Sequence, residues 1–480
     1  MNEPDRENIK AEAVKGMGWK LLEKGGIQIA QFIIQIFLAR LLSPGEYGIV
    51  GLLTIFITVS DVFIQQGFTG ALIQKKDADN IDYSSVFFAN IVLSIVIYSI
   101  LYFISPYVSL FYNEASLCPL LRVLSLNVII GSFCVVQNAI ISKNLDFKKS
   151  FIRNAIAVVV QGVSGIYMAV LGYGAWALVY SKVAYSLVGT IVLCVSVKWK
   201  PSFEFSLRRL MKLFSFSSKI LGTNLLNTVF NNIHSLIIGK FFTSSDLGYY
   251  QRGQQMPQVA MNAIDGSFNE VLFPALSKLQ DNIEGVKNAL RRSMKTSAFF
   301  VMPMMIGLAI VSEQFVRLLL TDKWISCVPY MKLQCIICLF WPFSARTHAL
   351  NAIGKSEVTF RLSVITKAIT LVCIFLLIPL GIYAIMIGTI VALLISFFIT
   401  SYYINKYIIY SLKELAIDIF PVMCITLCMG ATIFPIPYFV HSDLLVLILQ
   451  VILGGGIYLF LAKIFKIDTL TYVIKALNKN

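Results

Sequence analysis

Eight basic residues sit in or beside stretches that are otherwise apolar, and they are the first candidates for chemistry. Lys182, Lys219, Lys332, Arg346 and Lys367 fall within long hydrophobic runs, while Arg40, Lys240 and Arg252 lie near the ends of others. A charge inside a lipid-crossing helix costs about 2.5 to 3.5 kcal/mol on insertion scales, so such residues turn towards water-filled cavities or partners. An arginine holds phosphate oxygens through two parallel hydrogen bonds, whereas a lysine acts as a mobile point charge. The same positions also suit side chains that snorkel to an interface or pair with an acid.

Amides recur at helical spacing. Gln28, Gln31 and Gln35 form one set, and Asn224, Asn227, Asn231 and His234 another. Steps of three and four place each set on one helix face. Such a stripe suits a hydroxyl-rich ligand, and it equally suits hydrogen bonds between helices in a dry bundle. "QRGQQMPQ", residues 251–258, adds Gln254, with Pro257 as a kink. Asp61 and Asp265 are acids within apolar runs, placed either for proton or sodium coupling or to neutralise nearby cations. His234 and His348 have no metal-ligand company, so no metal is expected. Nor is a cofactor expected, since no phosphate-cradling nucleotide motif is present.

These side chains need helices to hold them. The 480-residue chain is 57% hydrophobic and 14% charged, with a mean hydropathy of +0.77. A soluble domain carries roughly 25% charged residues. Lipid offers backbone groups no partners, and the runs lack the short alternation of barrel strands, so the expected fold is an all-α polytopic membrane protein. At roughly 20 apolar residues per crossing, about fourteen spans fit, the first near residue 30, the seventh and eighth near 226 and 260, the last near 454. The charged opening "MNEPDRENIKAEAVKGMGWKLLEKGG" lacks the short apolar core and small-residue site of a cleaved signal, and is expected to be a cytoplasmic amphipathic lead-in.

The net charge is +15, and the basic residues gather in alternate connections: "KNLDFKKSFIR", "KWKPSFEFSLRRLMK", "KNALRRSMK" and the terminal "KIFKIDTLTYVIKALNK". This is the positive-inside pattern, with both termini cytoplasmic and an even number of spans. Anionic headgroups account for the charge, and no nucleic-acid partner is expected. The nine cysteines fall mostly in apolar runs. "CIIC", Cys335 to Cys338, has redox-motif spacing but no soluble βαβ context, and is expected to pack in a core.

The chain repeats itself. "LARLLSPGEYGIV", residues 38–50, is answered about 200 positions later by "IIGKFFTSSDLGYY", pairing Arg40 with Lys240, Glu46 with Asp246 and Gly48 with Gly248. Pro44 and Gly48 are expected to turn the chain, and Glu46 and Asp246 to cap the helices that follow. Farther on, "CPLLRVLSLNVIIGSF" matches "VPYMKLQCIICLFWPF", and "LGYGAWAL" matches "LGIYAIMI", pairing Pro119 with Pro329 and Gly172 with Gly381. Ordered matches at nearly constant spacing predict a duplication. Its halves are a six-helix lobe over 1–200 and another over 201–408, with two further spans and a cytoplasmic tail over 409–480. Parallel repeats of this kind enclose a cleft, and rocking of the lobes opens it to alternate faces.

At "ARLLSPGEYGIVGLLTIFITVSDVFIQQGFTGALIQ" the sequence resembles the polysaccharide transport family, the bacterial flippases for lipid-linked oligosaccharides, and within it the fourteen-span subgroup of the colanic acid flippase. "NAIISKNLDFKKSFIRN", "GYGAWALV" and "SDLGYYQRGQQMPQ" extend the resemblance. It implies a fold similar to multidrug and toxic-compound extrusion transporters and to the lipid II flippase. The implied substrate is an undecaprenyl pyrophosphate bearing an oligosaccharide repeat unit, moved from the cytoplasmic to the outer leaflet of the bacterial inner membrane for lipopolysaccharide or exopolysaccharide synthesis. In such a fold the first two helices of each lobe line the cleft. That favours Lys219, Lys240 and Arg252, with Arg40 opposite and Arg346 beyond, as pyrophosphate-holding cations, and Gln31, Gln35, Asn227, Asn231 and Gln254 as polar lining. Membrane lipids, H+ or Na+, and a polysaccharide polymerase are the further partners implied.

The nearest alternative is a cation-coupled drug antiporter of the same superfamily. A compact apolar cavity with one acid cluster would suit that reading, whereas a surplus of cations suits a phosphate-bearing substrate. A polymerase or ligase, by resemblance, would carry its chemistry on a large external loop; the outer connections here are short, and no enzyme is expected.

Overall fold

The computed structural model describes residues 19, 23–66, 68–75, 77–277, 279, 282–467 and 469–470. The amphipathic lead-in expected at the start of the chain falls almost wholly outside these residues, as does the end of the basic tail. The chain divides into two compact units, Met1–Gly248 and Tyr249–Asn480. Every regular element among the described residues is a helix.

The first unit runs through α1 (Gln28–Leu41), α2 (Pro44–Asp61), α3 (Asn80–Tyr112), α4, α5 (Phe147–Val170), α6 (Ala175–Ser196) and α7 (Leu207–Phe241). Helix α4 is broken, bending by 44° between Leu117–Ser132 and Val135–Lys143. The first residues of α8 (Ser244–Ser277) also belong to this unit. The second unit holds the rest of α8, then α9 (Ile283–Leu320), α10 (Asp322–Ala352, built of short segments), α11 (Ser356–Leu377), α12 (Ile382–Ile408), α13 (Leu412–Ile433) and α14 (Asp443–Ile464).

Among the described residues, ten helices are long and apolar enough to cross a membrane, or eleven if bent α4 is one span. This is a multi-pass membrane protein. Helix α1 is apolar but shorter than a full span, and α7 and α8 are not among these ten or eleven helices.

Local chemistry sets the helix ends. Reciprocal capping boxes open α2 at Ser43 and Glu46, α3 at Asp79 and Asp82, and α13 at Ser411 and Glu414, each satisfying two otherwise unpaired amide groups. Gly172 and Gly381, paired in the sequence repeat, both take left-handed backbones, with φ of 80° and 92°. Each lies just before the helix of its own half, α6 or α12, a turn that any side chain would strain.

Lipid gives helices no hydrophobic reason to associate, so close packing and polar ties hold the bundle. Helix α1 meets α5 where Gly162 and Gly165 leave room for Ile34 and Leu38. In the second unit Phe299, Ile425, Met429 and Tyr458 form a buried cluster joining α9, α13 and α14, and the Tyr458 hydroxyl donates to the Phe299 carbonyl at 2.7 Å. Cys335 and Cys338 pack in another apolar cluster with Met261, Val301 and Met305, as expected of them.

Candidate functional site

The repeated corner is built the same way twice. Ser43 N donates to Glu46 Oε2 at 2.6 Å and Ser43 Oγ to the same oxygen at 2.9 Å. Thr243 N and Oγ1 donate to Asp246 Oδ2 at 3.2 and 2.6 Å. Glu46 and Asp246 are therefore helix caps, as the sequence predicts, and neither is free to handle a ligand through those oxygens.

The first unit contains a polar cavity of about 220 Å3. Helix α2 contributes Asp61, α4 Asn127 and Asn138, α5 Arg153, and α6 Lys182 and Tyr185. Lys182 Nζ donates to Thr54 Oγ1 at 2.6 Å. That hydroxyl in turn donates to the Val50 carbonyl at 2.7 Å. Arg153 Nη1 donates to Asn138 Oδ1 at 3.0 Å, while its Nε is buried without a partner. Three charged groups thus line one cavity. Sequence reasoning singled out Asp61 and Lys182 separately but grouped Arg153 with the cytoplasmic cluster "KNLDFKKSFIR". Its position two turns into α5, amid "FIRNAIAVVV", is the signal that sets it apart.

The other predicted cations are scattered. Arg40, in the last turn of α1, is exposed. Lys240, its counterpart on α7, donates to the Phe111 carbonyl, with its ammonium 4.2 Å from the centre of the Phe111 ring. In the second unit Arg252 is buried at 2% exposure, donates to Gln255 Oε1 at 2.7 Å and lies over the Trp324 ring at 5.3 Å. Gln254 beside it donates to the Tyr250 hydroxyl at 2.6 Å. Arg346 is also buried; its Nη1 donates to Ser401 Oγ at 2.6 Å and its guanidinium stacks 4.3 Å from the Phe397 ring centre. Both arginines are held by helices of their own unit.

Of the amides, Gln31 and Gln35 are half-buried on α1, whereas Asn227 and Asn231, one turn apart on α7, are exposed. The side chains of Lys219 and Asp265 lie outside the described residues. Lys332 is exposed and Lys367 half-buried.

The second unit carries a different feature, which sequence reasoning missed. An apolar groove of about 780 Å3 runs between α9, α13 and α14, walled by Phe300, Met304, Met429, Val451 and Leu459 among others. Gly455 opens onto it, and a Cβ there would meet no atom within 4 Å. Uniformly apolar helices give no periodic signal that distinguishes a groove wall from a lipid-facing side.

An all-helical bundle with buried cations, a polar cavity and an apolar groove defines a membrane transporter. A match to the polysaccharide biosynthesis protein family covers residues 37–329, and the chain belongs to that family. It is 24% identical to the succinoglycan biosynthesis transport protein ExoT of Rhizobium meliloti (strain 1021), over 73% of this chain and 72% of that one. It is 25% identical to the teichuronic acid biosynthesis protein TuaB of Bacillus subtilis (strain 168), over 69% of each. With the lipopolysaccharide biosynthesis protein WzxC of Escherichia coli (strain K12) the identity is 22%, over 69% and 68%. Among solved structures, the lipid II flippase MurJ in an inward closed conformation superposes with a TM-score of 0.73 at 16% identity, covering 94% of this chain and 99% of that one. An inward-facing multidrug resistance transporter of the MATE family gives 0.60 at 16%, covering 81% and 98%. The fold expected from the resemblance is the fold observed.

Proposed function

We propose that the chain is a flippase that carries undecaprenyl-pyrophosphate-linked oligosaccharide repeat units from the cytoplasmic to the outer leaflet of the bacterial inner membrane, for assembly of a lipopolysaccharide or exopolysaccharide. The observation that carries this reading is the apolar groove of α9, α13 and α14. A lipid-linked sugar keeps a long prenyl tail in an apolar setting while its head crosses. Helices α13 and α14 lie outside the duplicated lobes, so they supply a side channel that a transporter of compact drugs does not need. Relatives named for succinoglycan transport and for lipopolysaccharide biosynthesis support the same choice.

In this reading the lobes over 1–200 and 201–408 rock to open a cleft to alternate faces of the membrane, both termini are cytoplasmic, and no covalent chemistry is done on the substrate. Arg252, with Lys219, Lys240, Arg346 and Arg40, supplies the positive potential for pyrophosphate, and exposed Asn227 and Asn231 offer amides to sugar hydroxyls. Asp61 is the acid placed to couple transport to an ion. Arg153 and Lys182 in the same cavity oppose a sodium ion there, and a proton fits better. A polymerase consumes the flipped unit.

Gly455→Phe adds an aromatic side chain to the groove lining at a position where a Cβ meets no atom within 4 Å. In a strain lacking the native gene, the variant should reach the membrane at normal abundance, lower surface polysaccharide at least several-fold and leave the lipid-linked precursor accumulated. Normal polysaccharide with the groove filled would refute the reading.

A further inference from the structure

The polar cavity of the first unit has a charge imbalance. Its walls carry the ionisable groups Asp61 from α2, Cys134 from α4, Arg153 from α5, and Lys182 and Tyr185 from α6. With the thiol and phenol neutral, two cations face one carboxylate. Among the described residues no carboxylate oxygen lies within 4.0 Å of either cation, and no cation within 4.0 Å of Asp61. Each charge instead has neutral partners: Lys182 a hydroxyl, Arg153 an amide oxygen. Charges removed from bulk water are costly unless compensated. The space of about 220 Å3 is room for several water-sized guests. Arg153 Nε is a buried donor with nothing to donate to, and Gly189, whose added Cβ would lie 3.7 Å from that nitrogen, leaves the approach to it open.

We propose that Arg153 and Lys182 bind one small monovalent inorganic anion of the chloride class in this cavity, and that the charge on Asp61 sets its affinity. One such anion balances the walls when Asp61 is ionised. Loss of the Asp61 charge removes a repulsion and tightens binding, so anion and proton occupy the cavity with positive coupling. This inference is independent of the flippase reading, because it concerns a site enclosed in one unit and needs no lipid-linked sugar.

The test uses the purified full chain in detergent. Thermal unfolding is followed by tryptophan fluorescence while gluconate is replaced by chloride, bromide or nitrate at constant ionic strength, once with sodium and once with potassium as the cation. The wild type should show a saturable rise in unfolding midpoint with anion and no difference between cations. Asp61→Asn should lower the half-saturating concentration about fivefold or more. Lys182→Met should abolish the anion response, with Lys182→Arg restoring it. Gly189→Ala, which puts a methyl beside Arg153 Nε in ordinary van der Waals contact, should weaken it and guards against a lysine variant that fails to fold. A midpoint indifferent to the anion, an anion response unchanged in both Lys182→Met and Gly189→Ala, or a response to sodium in place of the anion would each overturn the proposal.

Discussion

Gly48 and Gly248 meet through their backbones, and the contact is reciprocal. A Cβ on Gly48 would collide with the Ser244 carbonyl, and a Cβ on Gly248 would collide with the Pro44 carbonyl. Pro44 pairs with Ser244 in the sequence repeat as Gly48 pairs with Gly248, so the two corners pack as a local two-fold pair. A residue of one touches its partner's neighbour and the reverse holds. The two corners are each other's packing surface.

That geometry predicts an asymmetry among glycine substitutions. Gly48→Ala and Gly248→Ala press a methyl onto backbone, which cannot swing aside, and each should destabilise by about 1 to 3 kcal/mol. Gly45→Ala meets the Ser245 and Ser244 hydroxyls at 3.2 and 3.6 Å, side-chain ends that can swing aside, and the Ser245 nitrogen only at 4.0 Å, and should be close to wild type. Unfolding midpoints of the three variants in detergent distinguish these outcomes.

The base of α9 is tied to α13 by Asp418, which is 6% exposed. Its carboxylate accepts from Arg291 Nε and Nη2 at 2.6 and 2.8 Å and from the Tyr410 hydroxyl at 2.8 Å. It also pairs with Lys295 at 3.0 Å. Asp418→Ala leaves these cations unanswered at a semi-buried site and should cost about 3 kcal/mol. Tyr410→Phe removes one hydrogen bond and should cost about 1 kcal/mol. Thermal unfolding of the two variants should rank them in that order.

On the loop before α3, the Arg209 side chain hydrogen-bonds Asp79 at 2.5 Å and, chiefly through that bond, holds the Asp79 carboxyl down at about 2. A folded value below the unfolded one means that the tie is complete above the ordinary carboxylate range and is lost as pH falls through about 2. Trp199 reports on this region, since its indole donates to Asn80 Oδ1 at 2.8 Å. With the other tryptophans replaced, Trp199 fluorescence should stay constant from neutral pH down to about 4 and change only below. Arg209→Gln should move that change upward in pH.

Arg346 and Arg252 offer a contrast in the second unit. Arg346 is locked by Ser401 and the Phe397 ring, so Arg346→Lys, which cannot reproduce the stacked fork, should lower protein abundance along with polysaccharide. Arg252→Lys keeps a charge beside Trp324 and should retain partial function at normal abundance. Membrane immunoblots alongside surface polysaccharide assays separate the two effects.

The capping of the corner and the membrane class were legible in the sequence because each rests on residue types with one strong local meaning, whereas Gly48, expected to turn the chain, is packed inside α2. Glu46 and Asp246 follow hydroxyl residues at cap spacing, and Gly172 and Gly381 recur at equivalent turns. The roles of the cations within apolar runs were not legible, because a lysine or arginine there reads the same whether it faces an aromatic ring, as Arg346 does, or a polar cavity, as Lys182 does. Arg153 was hidden by its basic neighbours along the chain, which say nothing of the direction in which its side chain turns.

The polarity of α7 and α8 also bears on how the protein is made. Helix α7 carries Asn224, Asn227, Asn231 and Asn232, and α8 carries Gln251, Gln254, Gln255 and Gln258, amides that make direct release of either helix into lipid costly. A nascent chain in which α7 and α8 are not yet packed would present amide-bearing helices to the bilayer.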